Sequence, residues 1–430
     1  MHHDRFTKIA RFALVPLVFA LACGDSSAGE TSQASEGETS EGETSEGASA
    51  STSAGASSDG GATGSTTSGM GSSSTGGGTS DASSSGGATT DGTSTGGSSG
   101  STGEPATETE GGSDTDTDTD TDTDTETGGA LDDVLTLDHV QVKGTHNSYH
   151  LEPLIPFDAS HEYSHAPLDV QLEEQGVRAF ELDVHKNVNN DFEVYHIAVI
   201  DAETTCDSFM DCLDAIKGWS DANPLHLPIF VWIEIKDETG GLPIDGADLM
   251  AIEDEIRGTF PEDQLFTPDD LSAGYGSVRE ALEMEGWPTL GELRGQVMVI
   301  LLSGGEHADD LTSGFTTLEG RAMFARASPD QFDASWAAVA KLGTGGQDVV
   351  DAHAHQLLIA TNICGADESD AECFAELDEA EASGLHMLKD DFPAPVDGQE
   401  YWMDFPDGNP ARCNPVTAPP ECTSEALESL

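Results

Sequence analysis

Val142-Lys143-Gly144-Thr145-His146-Asn147-Ser148-Tyr149-His150 is the first place in the chain where an apolar, strand-like run stops on a cluster of chemically able side chains. Leu135, Leu137, Val140 and Val142 give the run its β character, and Gly144 offers a residue free to turn the backbone sharply. His146 and Asn147 therefore stand just past a strand end. Histidine exchanges protons near neutral pH, and an asparagine carbonyl is a hard oxygen ligand for a cation. A Thr-His-Asn capping turn without chemistry is the alternative at this point.

Upstream of this stretch the composition excludes a core. Arg5, Lys8 and Arg11 precede the apolar run 12–22, which ends in Ala20-Leu21-Ala22-Cys23. That pattern predicts a signal peptide over 1–22, exported and cleaved before Cys23. The segment resembles a lipoprotein signal, which implies acylation of Cys23 and a membrane held through the N-terminal lipid at a bacterial outer or cell-surface membrane; plain secretion is the alternative. Residues 23–130 are mostly Ser, Thr, Gly, Asp and Glu with almost no large apolar residue, carry a strict Asp-Thr alternation over 114–125, and read as a disordered, self-repelling tether.

The segment 131–430 is long enough for one large core. Three of the chain's 16 basic and 21 of its 81 acidic residues precede Leu131, which leaves 13 and 60, net −47, for this domain. Such a surface repels nucleic acid and anionic membranes and suits a protein in water rich in salt or divalent cations; a monomer is expected. Apart from Cys23, the cysteines fall in three close pairs: Cys206 with Cys212, Cys364 with Cys373, and Cys413 with Cys422. In an exported protein this reads as three local disulfides, since no pair has the spacing of a zinc site.

After the opening run, strand-like segments recur at 178–184, 192–196, 227–235, 296–302, 322–327, 356–361 and 385–388. Helical spacing appears at 168–175, 208–219, 245–257, 278–285 and 329–341. Strands alternating with helices imply parallel pairing, and eight such units predict an α/β fold, a distorted (β/α)8 TIM barrel. In such barrels the chemistry sits at the C-terminal strand ends. There stand His146 and Asn147, then Glu181 and Asp183, then His196, then Glu234 and Lys236, and finally Lys389, Asp390 and Asp391. Residues two apart share a strand face, so Glu181 and Asp183 point together. Asparagine plus three carboxylates is an oxygen set suited to Ca2+; zinc on His146, Asp183 and His196 fits less well because hard ligands outnumber the histidines. Lys143, Lys186, Lys236, Arg326 and Lys389 near strand ends suit a phosphate-bearing substrate.

These ordered motifs carry a resemblance. Lys143 to Tyr149, Gly176-Val177-Arg178 with Glu181-Leu182-Asp183-Val184-His185, Tyr195-His196, Leu227-Pro228 with Glu234-Ile235-Lys236-Asp237, and Arg412-Cys413-Asn414-Pro415 resemble the bacterial branch of the calcium-dependent phosphoinositide-specific phospholipase C family. The resemblance implies catalytic roles for His146 and His196. It implies calcium ligation by Asn147, Glu181, Asp183 and Glu234, and substrate contact by Lys236; Lys389 and Arg326 are further substrate-binding candidates from their place near strand ends. It also implies cleavage of phosphatidylinositol-type lipids to diacylglycerol and a (cyclic) inositol phosphate. Two departures are visible: Ile197 to Ile200 stands where a Gly-bearing turn is expected, and Lys389-Asp390-Asp391 where the family more often has Thr-Asp.

Three rivals remain at this stage. A glycerophosphodiester phosphodiesterase would share much of the constellation, but Asn147 follows His146 where that class has Arg. A calcium-holding surface module without catalysis would predict a lost histidine. Glycoside hydrolysis by Glu181 and Glu234 leaves His146, Asn147 and Lys236 without roles.

Overall fold

The computed structural model describes residues 131–428 apart from 238–240 and 409. The expected signal peptide, Cys23 and the tether lie outside the described residues. Among the described residues, ten strands make one sheet. In chain order they are β1 (Val140–Thr145), β2 (Ala179–Lys186), β3 (Phe192–Val194), β4 (Ile229–Ile235), β5 (Val297–Leu301), β6 (Met323–Ala327), β7 (Val339–Lys341), β8 (Leu358–Asn362), β9 (Met387–Asp390) and β10 (Ala411–Cys413). Eight of them pair in parallel around a closed ring, β1-β2-β4-β5-β6-β7-β8-β9, with β1 meeting β2 through the single pair Gly144 and Ala179. The predicted TIM barrel is the observed fold.

Two memberships differ from the sequence reading. The segment 192–196 is no barrel strand: Phe192–Val194 folds back antiparallel on β2 as an edge hairpin, because only five residues separate the two strands and a parallel crossover needs a dozen or more. The ring is completed instead by Val339–Lys341, inside the stretch 329–341 read as helix. Trp336, Ala337, Ala338, Val339 and Ala340 are all buried, and a run that is apolar on both faces has no period to distinguish strand from helix. Gly144 also serves differently. It lies within β1, and a Cβ there would come within 2.9 Å of both Ala179 Cβ and Lys389 Cγ, so the glycine permits the close approach that closes the barrel.

Strand alternation separates two cores. Phe180, Leu182 and Val184 face outward into a cluster with Leu172 and Ile216 of the surrounding helices. Ala179, Phe230, Trp232, Met298, Phe324 and Met387 belong to a second cluster that fills the barrel. Counting two residues further along each inner face leads to Glu181, Glu234, Arg326 and Lys389, so the apolar plug ends in a charged layer. Helices 168–174, 209–222, 246–259 and 278–284 occupy the expected positions. Ser208 and Asp245 cap two of them, accepting from Asp211 N–H and from Ala247 and Asp248 N–H. All three predicted disulfides are formed.

One buried histidine makes the fold acid-sensitive in a measurable way. His386 Nδ1 accepts from Ile359 N–H at 3.0 Å and Nε2 donates to the Asp138 carbonyl at 3.2 Å, so only the neutral ring satisfies both. Burial pushes its pKa down to about 3. A depressed histidine contributes stability fully above the unfolded pKa of about 6.5, and loses it as pH falls toward the folded value. Asp183 and Asp390, raised by burial to about 6 and about 7, work in the other direction, so the term is isolated by comparing the parent with His386→Gln. We expect the parent's advantage in urea denaturation to shrink by about 2 kcal/mol between pH 7 and pH 5. A pH-independent difference would remove His386 as the acid-sensitive group.

Candidate active site

The mouth begins where β1 stops. Asn147 turns the chain with φ 42°, a left-handed conformation that asparagine tolerates better than most residues. Ser148 locks this turn to β2: its N–H donates to the Glu181 carbonyl at 2.9 Å and its hydroxyl accepts from Glu181 N–H at 2.8 Å. The turn thereby sets His146 and Asn147 beside the inward face of β2. Asn147 is buried, and its amide donates to the Tyr163 hydroxyl at 3.3 Å.

Glu181 and Asp183 are both buried on that inward face, and strand register sets Asp183 directly opposite Glu234 of β4. Oxygens of Glu181, Asp183 and Glu234 all lie within 4.8 Å of one another. The three carboxylates are not equally compensated. Glu181 is paired with Lys389 and lies 3.5 Å from Lys341 Nζ; burial would raise its pKa, but these two lysines and His146 hold it well below the usual carboxylate range. Asp183 is different. Burial, with Glu234 and Glu181 adding to it against Lys236, raises its pKa to about 6, and among the described residues neither of its oxygens accepts a hydrogen bond. Lys236 Nζ bridges the gap from solvent, 3.0 Å from Glu234 and 3.3 Å from Asp183.

Each histidine is steered by an aspartate. His146 Nδ1 lies 3.0 Å from Asp391 Oδ1 and its Nε2 lies 3.9 Å from Glu181. Burial opposes charge on this ring, yet Asp391 and Glu181 more than offset it and raise its pKa. His196 follows the edge strand β3, and its Nδ1 is 2.6 Å from Asp201 Oδ2. The apolar turn 197–200 closes with paired backbone bonds between Ile197 and Asp201, and Val199, at φ 75°, takes the left-handed position where a glycine was expected.

A model of the family "Phosphoinositide phospholipase C, Ca2+-dependent" matches residues 135–192 and 185–415. The chain belongs to this family. No curated protein matches it. Among solved structures the phospholipase is similar to a Ca2+-dependent phosphatidylinositol-specific phospholipase C from Streptomyces antibioticus, at 20% identity over 60% of this chain and 95% of that one, with a TM-score of 0.46. It is also similar to a calcium-dependent phosphoinositol-specific phospholipase C from Pseudomonas sp., at 19% identity over 66% and 98%, with a TM-score of 0.46.

The family's calcium has a fitting donor set in this phospholipase. Asp183 presents two buried oxygens that accept no hydrogen bond among the described residues, set among two further carboxylates with Lys236 at 3.3 Å as counter-charge, a place that costs free energy until a cation enters. The remaining candidate residues fall in two groups. Lys236 reaches the mouth, whereas Lys389 is fully buried, stacked near Trp232, and spent on Glu181 rather than free to meet substrate. Burial lowers its pKa to about 8 against the pull of Glu181. Arg326 Nε donates to the Leu302 carbonyl at 2.9 Å, and among the described residues no hydrogen bond or ion pair joins it to the carboxylate set. From the sequence alone, Lys341 went unassigned because its strand read as helix; Asp201 was missed because it lies in a loop without a motif. Asp391 stood at a predicted strand end, without a role until His146 was seen beside it. Asn414, in the Arg-Cys-Asn-Pro motif, serves the fold: its amide donates to the Gly384 carbonyl at 2.7 Å and its oxygen accepts from Val416 N–H.

Proposed function

We propose that this phospholipase C cleaves phosphatidylinositol-type lipids to diacylglycerol and a cyclic inositol phosphate, which water then opens. The observation that carries this reading is Asp183, buried without a hydrogen bond between Glu181 and Glu234 and flanked by two aspartate-steered histidines. Asn147, Glu181, Asp183 and Glu234 would hold Ca2+, which supplies positive charge against a phosphate oxygen and acidifies the inositol 2-hydroxyl. One carboxylate of the triad takes the proton of that hydroxyl as its oxygen attacks phosphorus. The bond from phosphorus to the diacylglycerol oxygen breaks in line, and His196 gives that oxygen its proton. With Nδ1–H donated to Asp201, the other nitrogen of His196 is the one available for transfer. His146, with raised pKa, presents positive charge to the phosphoryl oxygens, and Lys236 turns from Asp183 and Glu234 to the substrate.

The rim supports a lipid surface as partner. Leu154, Ile155 and Phe157 on the loop after β1, and Val199 and Ile200 on the loop after β3, are exposed. The two loops run side by side, joined by Leu151 N–H to the Glu203 carbonyl and by the His150 and Thr204 bridge. Large apolar side chains grouped at the mouth of a site are costly in water and suited to a bilayer. Acylated Cys23 would hold the exported, monomeric enzyme at its membrane, consistent with the absence, among the described residues, of any helix long and apolar enough to cross one. Phosphorus NMR on phosphatidylinositol vesicles tests the reaction: a cyclic inositol phosphate signal should appear first and only with Ca2+. Release of a glycerophosphoryl product instead would transfer the enzyme to the glycerophosphodiesterase class.

A further inference from the structure

Behind His196, its aspartate gathers two further histidines, His150 and His161, that the reaction does not use. Three imidazole nitrogens converge on the two oxygens of one buried carboxylate: His150 Nε2 at 2.9 Å from Asp201 Oδ1, His196 Nδ1 at 2.6 Å from Oδ2, and His161 Nδ1 at 3.6 Å from Oδ2. Ligating atoms of His150, His196 and Asp201 all lie within 4.8 Å of one another.

Two observations mark this as more than a hydrogen-bond network. His150 Nδ1 lies 3.1 Å from the Tyr163 carbonyl and must donate to it. A neutral ring so placed turns the lone pair of Nε2 toward a carboxylate oxygen, so the contact calls for a positive charge there, either a second ring proton or a bound cation. His161 is only 6% exposed, yet its Nδ1 makes no hydrogen bond among the described residues and faces Asp201.

We infer that His150, His161, His196 and Asp201 form a site for one Zn2+ ion, distinct from the calcium seat. His150, His196 and Asp201 gather two imidazole nitrogens and a carboxylate, a set of zinc type, and His161, 3.6 Å from the same carboxylate, offers a further nitrogen that the ion would draw in, whereas calcium takes oxygen almost exclusively. The Tyr163 carbonyl orients the His150 ring as an outer partner of a metal ligand does. The ion would staple the two loops of the mouth, because His150 and His161 belong to one and His196 and Asp201 to the other. It would also displace the hydrogen bond from His196 to Asp201 and hold that ring in a form that no longer exchanges its proton. This second consequence rests on the role given to His196 under Proposed function; the site itself does not.

The test is calorimetric titration of the full chain with Zn2+ in saturating Ca2+, so that the calcium seat is filled. The parent should take up one tight equivalent, and His161→Gln and His150→Gln should each weaken it by about a hundredfold or more, so that uptake by the acidic N-terminal segment is common to all and cancels. Neither residue is in the catalytic machinery, so both variants should keep zinc-free turnover; the pair guards against one failing to fold. Equal zinc uptake by the parent and both variants would overturn the site. In parallel, zinc should inhibit the parent at least tenfold and spare the variants. Zinc bound by the parent, lost in the variants and without effect on turnover would leave the site standing and overturn the proton-transfer role of His196.

Discussion

Asp183→Asn is expected to raise the calcium concentration for half-maximal activity by about a hundredfold or more, and excess chelator is expected to abolish turnover in the parent. Removing an outer partner of a metal ligand already costs about 10- to 100-fold in affinity, and Asp183 is proposed as a ligand itself. The same variant should behave oppositely in stability. Without metal, Asp183 is a buried carboxylate that accepts no hydrogen bond among the described residues and has Lys236 at 3.3 Å as counter-charge, and burial raises its pKa to about 6. Asparagine removes that charge, while Lys236 keeps Glu234 at 3.0 Å. The metal-free variant should therefore be no less stable than the metal-free parent, and added Ca2+ should raise the parent's melting temperature and not the variant's. A variant that titrates with calcium like the parent would remove Asp183 from the ligand set, and a large loss of metal-free stability would make it a structural residue.

The contrast between Glu181 and Asp183 also explains what the sequence could and could not show. Both lie on one strand two residues apart, and that spacing alone places them on the same inward face. The period therefore reveals the carboxylates, the end of β1 reveals His146 and Asn147, and alternation of strand and helix reveals the barrel. Spacing is silent on compensation. Glu181 is neutralised by Lys389 and Lys341, which arrive from β9 and β7, more than a hundred residues away. Lys341 was hidden because Trp336 to Ala340 are buried on every side, and a run without polar punctuation carries no period. Asp201 and Asp391 are ordinary in sequence. They acquire their roles only when a turn and a strand end bring them to 2.6 and 3.0 Å from their histidines.

Those two distances lead to the expected result that separates a catalyst from a calcium-holding module. His146→Ala and His196→Ala should each lower kcat by about a hundredfold or more, because each removes a group acting on the transition state. Calcium affinity should barely change. The double variant should lose far less than the product of the two, since residues serving one transition state work as a unit. Asp391→Asn and Asp201→Asn should give smaller losses and shift the pH profile, because each aspartate acts through its histidine. An inositol phosphate aryl ester then assigns the roles. Its leaving group departs without a proton, so it should restore turnover to the variant lacking the general acid and not to the one lacking charge stabilisation. We expect rescue at His196→Ala, whose ring has one nitrogen committed to Asp201 and the other available for transfer. Rescue at His146→Ala alone would exchange the two roles. If both variants kept full activity, the mouth would be left with calcium binding as its chemistry, and the proton that leaves with diacylglycerol would have to come from solvent.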